Sequence, residues 1–410
     1  MVPGSQSKTR IQWQLIAPLL AVQVLVGAAG MPARSFFPIY LEEKLLLATV
    51  VVSILVAARQ VAGMISAVIG GSLADTLGPK LTLIIGLSGY VAANATFLVR
   101  PLWLIALLWC VSGLAMSLHT LGGMSYLIAS TEPNQRGTFS ALYSWGVPLG
   151  SALISPGLGV VLDRRGYSTF GLILIGAMGL AFIVAAVFLK GARGTRPSSG
   201  FSLIQTLKGY STIVQRPLVG LLGMLRFLPT CYYGMSSVVI PLLVYRLAGN
   251  KTSVAIYSAA SQILAALAQI LVGRAADRWG RKWPQIGLMA LMVGSAIGLA
   301  AFSRHVWSFY VFGILGNCAA WSLSVLLPCL VADTTAENES GRVLGTLHVL
   351  WNAGMIVGPL IGALVDISVA LPFVITGALN LIGIGLAAKF FTMAAAANHA
   401  DACSIEPARV

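Results

Sequence analysis

Gly71-Ser72-Leu73-Ala74-Asp75-Thr76-Leu77-Gly78-Pro79-Lys80 returns 202 positions later as Gly273-Arg274-Ala275-Ala276-Asp277-Arg278-Trp279-Gly280-Arg281-Lys282. Both copies keep the two glycines, the aspartate and the final lysine, and each closes one long apolar run and opens the next. A charged Gly/Asp turn used twice between apolar runs marks a two-lobed membrane protein built from tandem repeats. The repeat extends beyond the loop. At an offset of 202, Gln60 matches Gln262; at 203, Pro38 matches Pro241, Pro156 matches Pro359, Gly159 matches Gly362 and Asp163 matches Asp366. A change of one in the offset is what a single small insertion produces.

The composition agrees. Of 410 residues, 57% are hydrophobic and 9% charged, where a soluble domain carries roughly 25% charged residues. The mean hydropathy is +0.87. A helix crosses a bilayer with about 20 apolar residues, and about twelve such spans fit between residues 13 and 396. The expected fold is all-α, with twelve transmembrane helices in two pseudo-symmetric six-helix bundles at 1–189 and 217–397. Residues 190–216 break the apolar pattern with Lys190, Arg193, Arg196, Lys208 and Arg216. They read as a cytoplasmic linker, either an interfacial helix or a tether. Residues 398–410 read as a disordered tail. The first span has no short apolar core with a cleavage site, so it is expected to be retained.

The net charge of +14 does not imply nucleic acid, because the charge is sorted. With the N-terminus inside, 16 Lys/Arg fall on the inner face, seven on the outer face and three within spans. That is the positive-inside pattern of a multi-pass protein of the bacterial inner membrane with both termini cytoplasmic, and the basic inner face suits contact with membrane lipids. Cys110, Cys231, Cys318 and Cys329 lie in spans and Cys403 in the tail; their spacing suits neither a metal nor an extracellular disulfide. No cofactor is expected. No P-loop motif occurs, so the expected drive is a gradient.

At the duplicated loop the chain resembles the major facilitator superfamily, across essentially its whole transmembrane region. The family signature after the second helix is Gly-x-x-x-Asp-Arg/Lys-x-Gly-Arg/Lys-Arg/Lys. The copy at Gly273, Asp277, Arg278, Gly280, Arg281 and Lys282 fits throughout. The copy at Gly71, Asp75 and Gly78 departs at Thr76 and Pro79. The resemblance implies a conformational switch at these residues, with Asp75 meeting the inner end of the eleventh helix. It also implies a secondary transporter working by alternating access, and a monomer; an enzyme is not expected, because no Ser/His/Asp, metal or paired-carboxylate constellation falls on one membrane face. The expected partner is a small organic solute, with protons as a candidate coupling ion. The expected function is export of an anionic or neutral amphipathic solute; the alternatives are uptake or exchange of an organic anion and multidrug efflux by proton antiport, with a non-transporting receptor last.

Two further patterns bear on gating. The eleventh span carries Gly354-x-x-x-Gly358-Pro359-x-x-Gly362, and the fifth carries Pro156-Gly157-Leu158-Gly159. Small residues four apart let helices approach closely, and proline permits a bend. Related drug:proton antiporters carry an arginine in the fourth helix, four residues before a glycine; Trp109 stands there, before Gly113.

The embedded charges are basic. All twelve acidic residues fall in loops, tails or span ends. Arg226 lies about 13 Å along its helix from Pro217, and Arg59 about 24 Å before Asp75; Arg34 lies in the outer part of the first span. A charge facing lipid there is costly, so these arginines are expected to face an interior that binds a carboxylate, phosphate or sulfonate. Capping of helix-break carbonyls is the alternative. Gln60, Gln262, Tyr233 and Trp351 complete the expected substrate-binding set, and His119 and His348 are the proton-coupling candidates.

Overall fold

The computed structural model describes the backbone of residues 4–132, 135–190, 216–335 and 337–405; the side chains of 4–12, 68–75, 137, 337–342 and 397–405 lie outside the described set. Among the described residues there is no strand, and eleven helices are long and apolar enough to cross a bilayer. One of these covers 51 residues, Thr138–Phe188, more than twice the length a crossing needs. It breaks at Gly166, whose φ of 73° and ψ of −176° belong to a region only glycine enters readily. Twelve crossings result.

They are α1 (Gly4–Leu45), α2 (Thr49–Leu77), α3 (Pro79–Ala93), α4 (Leu102–Ser130), α5 (136–165), α6 (167–188), α7 (Pro217–Ala248), α8 (Lys251–Trp279), α9 (Lys282–Phe302), α10 (Val306–Thr334), α11 (Glu337–Gly362) and α12 (Leu371–Ile405). The last helix continues eight residues past the boundary expected at 397. The expected linker, apart from Lys190 and Arg216, lies outside the described residues. Long apolar side chains point outwards, among them Leu153, Leu172, Val187, Leu271, Ile297 and Leu381. Hydrocarbon accommodates such a surface and water does not.

The duplicated loops turn alike. Gly78 and Gly280 both take positive φ, 89° and 74°. Pro79, which departs from the family signature, is the first residue of α3, where a missing N–H costs nothing. Lys80 donates to the carbonyl of Ala186 at 2.9 Å and to that of Leu189, capping the end of α6. In the second copy Arg281 pairs with Asp333 at the end of α10.

Packing groups Met1–Phe201 with Pro241–Ile263 in one unit, and Ser202–Ile240 with Leu264–Val410 in the other. The hairpin 241–263, from Pro241 in α7 into α8, packs with the first unit. Its bonds explain why. The Asp163 carboxylate accepts from the backbone N–H of Lys251 at 2.8 Å, the N–H of Thr252 at 2.9 Å and the Thr252 hydroxyl at 2.7 Å. Asn250 takes the N–H of Ser253 at 2.8 Å, so the first three N–H groups of α8 all have side-chain acceptors. Arg246 grips Glu42 with two bonds, at 2.8 and 2.7 Å, and Lys251 lies 3.0 Å from Glu43. Deeper in, the Ser258 hydroxyl donates to Ser35 at 3.1 Å, and Gly159 lies against Lys251, Thr252 and Ala255 with no room for a Cβ.

Glycines set the tightest crossings within each unit. In the first, a Cβ on Gly27 or Gly150 would collide with the backbone of Val147 or Val24, so α1 and α5 meet backbone to backbone. In the second, a Cβ on Gly358 would collide with the Cys231 backbone of α7, and Cβ atoms on Gly354 and Gly362 with the side chains of Thr230 and Val239. α10 includes a five-residue π segment, Phe309–Gly313. The Ser295 hydroxyl donates to the Phe312 carbonyl within it at 2.5 Å.

Candidate functional site

In the second unit, four helices enclose a cavity of about 210 Å³. α7 lines it with Arg226, Pro229, Thr230 and Tyr233, whose spacing of three and four residues puts them on one helix face. α10 adds Trp321 and Ser324, α11 adds His348 and Trp351 one turn apart, and α9 adds Gln285. Thr230 returns its hydroxyl to the Arg226 carbonyl at 2.7 Å and so stays within its own helix.

Among the described residues, Arg226 is the only Lys, Arg, Asp or Glu lining the cavity. One of its Nη atoms donates to the Ser324 hydroxyl at 2.7 Å, and the guanidinium carbon lies 6.0 Å from the centre of the Trp351 ring. Its Nε is buried and has no hydrogen-bond acceptor among the described residues; neither has the indole N–H of Trp321. Aromatic rings form the walls. His348 stacks on Trp351 with centroids 5.4 Å apart, and Tyr233 meets Trp321 edge-on at 5.6 Å. A guanidinium with an unused donor, flanked by planar rings, is equipped to hold a planar anion. A buried donor left without an acceptor is costly, and an anionic or carbonyl group placed beside it would relieve that cost.

Arg226, Tyr233, Trp351 and His348, named from the sequence, thus share one cavity. The other named residues lie in the first unit. Arg59 is buried in α2, with Nε donating to Ser112 at 2.7 Å, one Nη to Gln60 at 3.3 Å and the other towards the Met116 sulfur at 3.6 Å. Its guanidinium carbon is 5.3 Å from the Trp109 ring, which stacks on Phe37 at 3.6 Å. The cation beside Trp109 of α4 thus comes from α2. Arg34 is half-buried in α1. Gln262, in the hairpin, reaches the Met31 sulfur at 3.6 Å. His119 is buried in α4, its ring edge-on to Tyr90 at 5.9 Å, with no acceptor or donor for Nε2 among the described residues.

Of the switch residues, Gly71 and Asp75 fall in the segment 68–75 whose side chains lie outside the described set, so the expected contact of Asp75 with α11 lies outside it too. Asp277 and Arg278 are exposed at the end of α8. Pro156 lies within α5 and Pro359 within α11, beside Gly234.

Comparison with known proteins bears on the whole chain. The sequence profile of the Major Facilitator Superfamily matches residues 19–247 and 222–402. Multidrug resistance protein MdtG of Escherichia fergusonii is 24% identical over 380 residues, 88% of this chain and 90% of that one. Tetracycline resistance protein, class D, of Salmonella ordonez is 40% identical over 117 residues, 27% of this chain, and the match spans only 28% of that protein. The crystal structure of a POT family transporter in complex with 5-aminolevulinic acid superposes with a TM-score of 0.77 at 12% identity, covering 92% of this chain and 96% of that one. At that identity the likeness is one of fold.

Proposed function

The chain belongs to the major facilitator superfamily, a family of transporters, and on that premise we propose that it exports a small anionic or neutral amphipathic organic solute by alternating access. Arg226 with its unused donor in an aromatic cavity carries this reading. The guanidinium supplies the charge recognition, Ser324 holds it in place, and Trp351, Trp321 and Tyr233 take the apolar body of the solute. Arg59, with its three nitrogens engaged by neighbours, ties α2 to α4 rather than binding solute. Sorting of Lys and Arg supports a plasma-membrane location with both termini in the cytoplasm. In that orientation the hairpin 241–263 is seated on the outer face, and alternating access requires it to lift.

A second reading is multidrug efflux by proton antiport. The names of the relatives favour it, as does the largely apolar cavity wall. His348, stacked in the cavity beside Arg226, is then the first proton-coupling candidate and His119 the second.

The test is solute counterflow in liposomes, with a thermal-shift screen of anionic, neutral and cationic amphiphiles run on the wild type and Arg226→Gln. Anions are expected to stabilise the wild type and drive counterflow, and to do neither in a variant that folds and inserts normally. Stabilisation by cations, equal in both proteins, supports the second reading and makes Arg226 structural. Binding without counterflow in either protein overturns transport itself.

A further inference from the structure

Six of the seven Lys/Arg residues on the face opposite the duplicated loops belong to the first unit: Lys44, Arg100, Arg164, Arg165, Arg246 and Lys251. Arg304 alone belongs to the second. The acidic residues beside them are engaged. Glu42 is held by Arg246, Glu43 by Lys251 and the Tyr167 hydroxyl, and Asp163 by the start of α8. Lys44 keeps only a 3.6 Å approach to Glu43. Arg100 and Arg165 have no ionic partner among the described residues.

These cations border one depression. A cavity of about 470 Å³ is lined by Lys44, Arg100, Arg165 and Ser168 together with Tyr40, Phe97, Leu98 and Tyr167. Its floor is rigid: the Tyr40 hydroxyl donates to the Val99 carbonyl at 2.7 Å, and Phe97 lies parallel to Tyr167. Gly166, at the sharp break between α5 and α6, opens its backbone to the same space. The adjoining surface is apolar, with Leu98, Leu102, Trp103 and Leu172 exposed by 39 to 69%. Trp103, the second residue of α4, has the place of an interfacial tryptophan.

We propose that this depression binds the phosphate-bearing headgroup of an anionic phospholipid. Two arginines and a lysine converge where a headgroup phosphate lies, and guanidinium pairs with phosphate through parallel bonds. Leu98, Leu102 and Leu172 lead from the cations into the hydrocarbon, the path the acyl chains take. A free phosphate ion shares the headgroup chemistry but makes no use of the apolar margin. The site is distinct from the solute cavity, which lies in the other unit.

Native mass spectrometry of the detergent-released full chain tests this, with phosphatidylglycerol, phosphatidylcholine and inorganic phosphate as separate ligands. The wild type is expected to retain one phosphatidylglycerol in preference to phosphatidylcholine. The double variant Arg100→Gln/Arg165→Gln is expected to retain it about thirtyfold less strongly, the effect of removing two near-surface cations. Both arginines are exposed, and an unchanged melting temperature in lipid-free detergent verifies the fold of the variant. Arg304→Gln, on the same face of the other unit, is expected to leave retention unchanged. Equal retention in the wild type and the double variant overturns the proposal. So does stabilisation by inorganic phosphate without selective retention of phosphatidylglycerol, which would make this a site for a soluble anion.

Discussion

Asp163→Ala is expected to loosen the hairpin 241–263 by an amount set by the bonds it removes. The Asp163 carboxylate takes two backbone N–H groups and one hydroxyl at the start of α8. Loss of an N-terminal cap costs about 1 kcal/mol, and loss of an anion at a helix N-terminus costs about 0.3–1 kcal/mol more at an exposed site. The Glu42–Arg246 and Glu43–Lys251 pairs persist and hold the hairpin with about 0–1 kcal/mol each. The seated form should therefore still dominate, while the lifted form rises roughly 10- to 30-fold. Ser35 reports this directly. It lies beneath the hairpin, half-buried and bonded to Ser258. In a chain without its five native cysteines, Ser35→Cys should react with a small maleimide at a rate proportional to the lifted fraction. Asp163→Ala should raise that rate by the same factor, and Asp163→Asn, which keeps one oxygen acceptor, by less. A rate within twofold of the parent would refute the assignment of Asp163 as the residue that seats the hairpin.

The same contact has a defined pH response. Partial burial pushes the Asp163 carboxyl up, but the bonds from Thr252 and Lys251 outweigh it and hold the group below its ordinary 3.8. Glu43 is likewise raised by burial and lowered further by Lys251 and Tyr167, to a net value below 4.5. A depressed carboxylate stabilises the folded contact above its ordinary pKa and loses that contribution only as pH falls through the lower, folded value. Labelling at Ser35→Cys, taken relative to an exposed reference cysteine at the same pH because the thiolate is the reacting form, should thus be flat from pH 5 to 8 and should rise only below about pH 4. Elsewhere, Gly150→Ala should cost about 2 kcal/mol or more, since its Cβ collides with the Val24 backbone. Gly157→Ala, in the same helix with open space around it, should be neutral or stabilising by up to about 1 kcal/mol; melting temperatures of the pair separate the two cases. Leu46 has a φ of 52°, a conformation costing a side chain about 1–2 kcal/mol. Leu46→Gly should therefore raise the melting temperature and the β-branched Leu46→Val should lower it.

The helices were legible because lipid leaves the backbone no alternative partners, so apolar length alone locates each crossing. The repeat was legible where it used glycine, aspartate or proline. It was invisible where it used geometry alone: Leu46 and Gly249, 203 residues apart, both take positive φ, at 52° and 70°, and nothing in a leucine announces that turn. Gly146-x-x-x-Gly150 has the same spacing as Gly354-x-x-x-Gly358 and makes the α5 crossing, but the neighbouring Pro156-Gly157 pair was the more conspicuous pattern. Arg226 stood out as a cation in mid-span. Its anchor Ser324 and the wall residue Trp321 did not, since a serine or a tryptophan in a span has many uses. The role of Asp163 was hidden for a different reason. Its partners are the backbone N–H groups of Lys251 and Thr252, which every residue but proline possesses.

That capping arrangement also orders the assembly of the chain in time. The acceptor for the first two N–H groups of α8 is on α5, some ninety positions earlier in the sequence. As the ribosome delivers α7 and α8, the receiving surface of the first six helices already exists, and the new hairpin can be completed on arrival. A fragment that begins after the segment 191–215 would emerge with the start of α8 short of its acceptor. The second half is thus templated by the first, while the first needs nothing from the second at this point. Two halves made from separate messages should show the same asymmetry: the N-terminal fragment accumulates alone, and the C-terminal fragment is protected from proteolysis only when its partner is present.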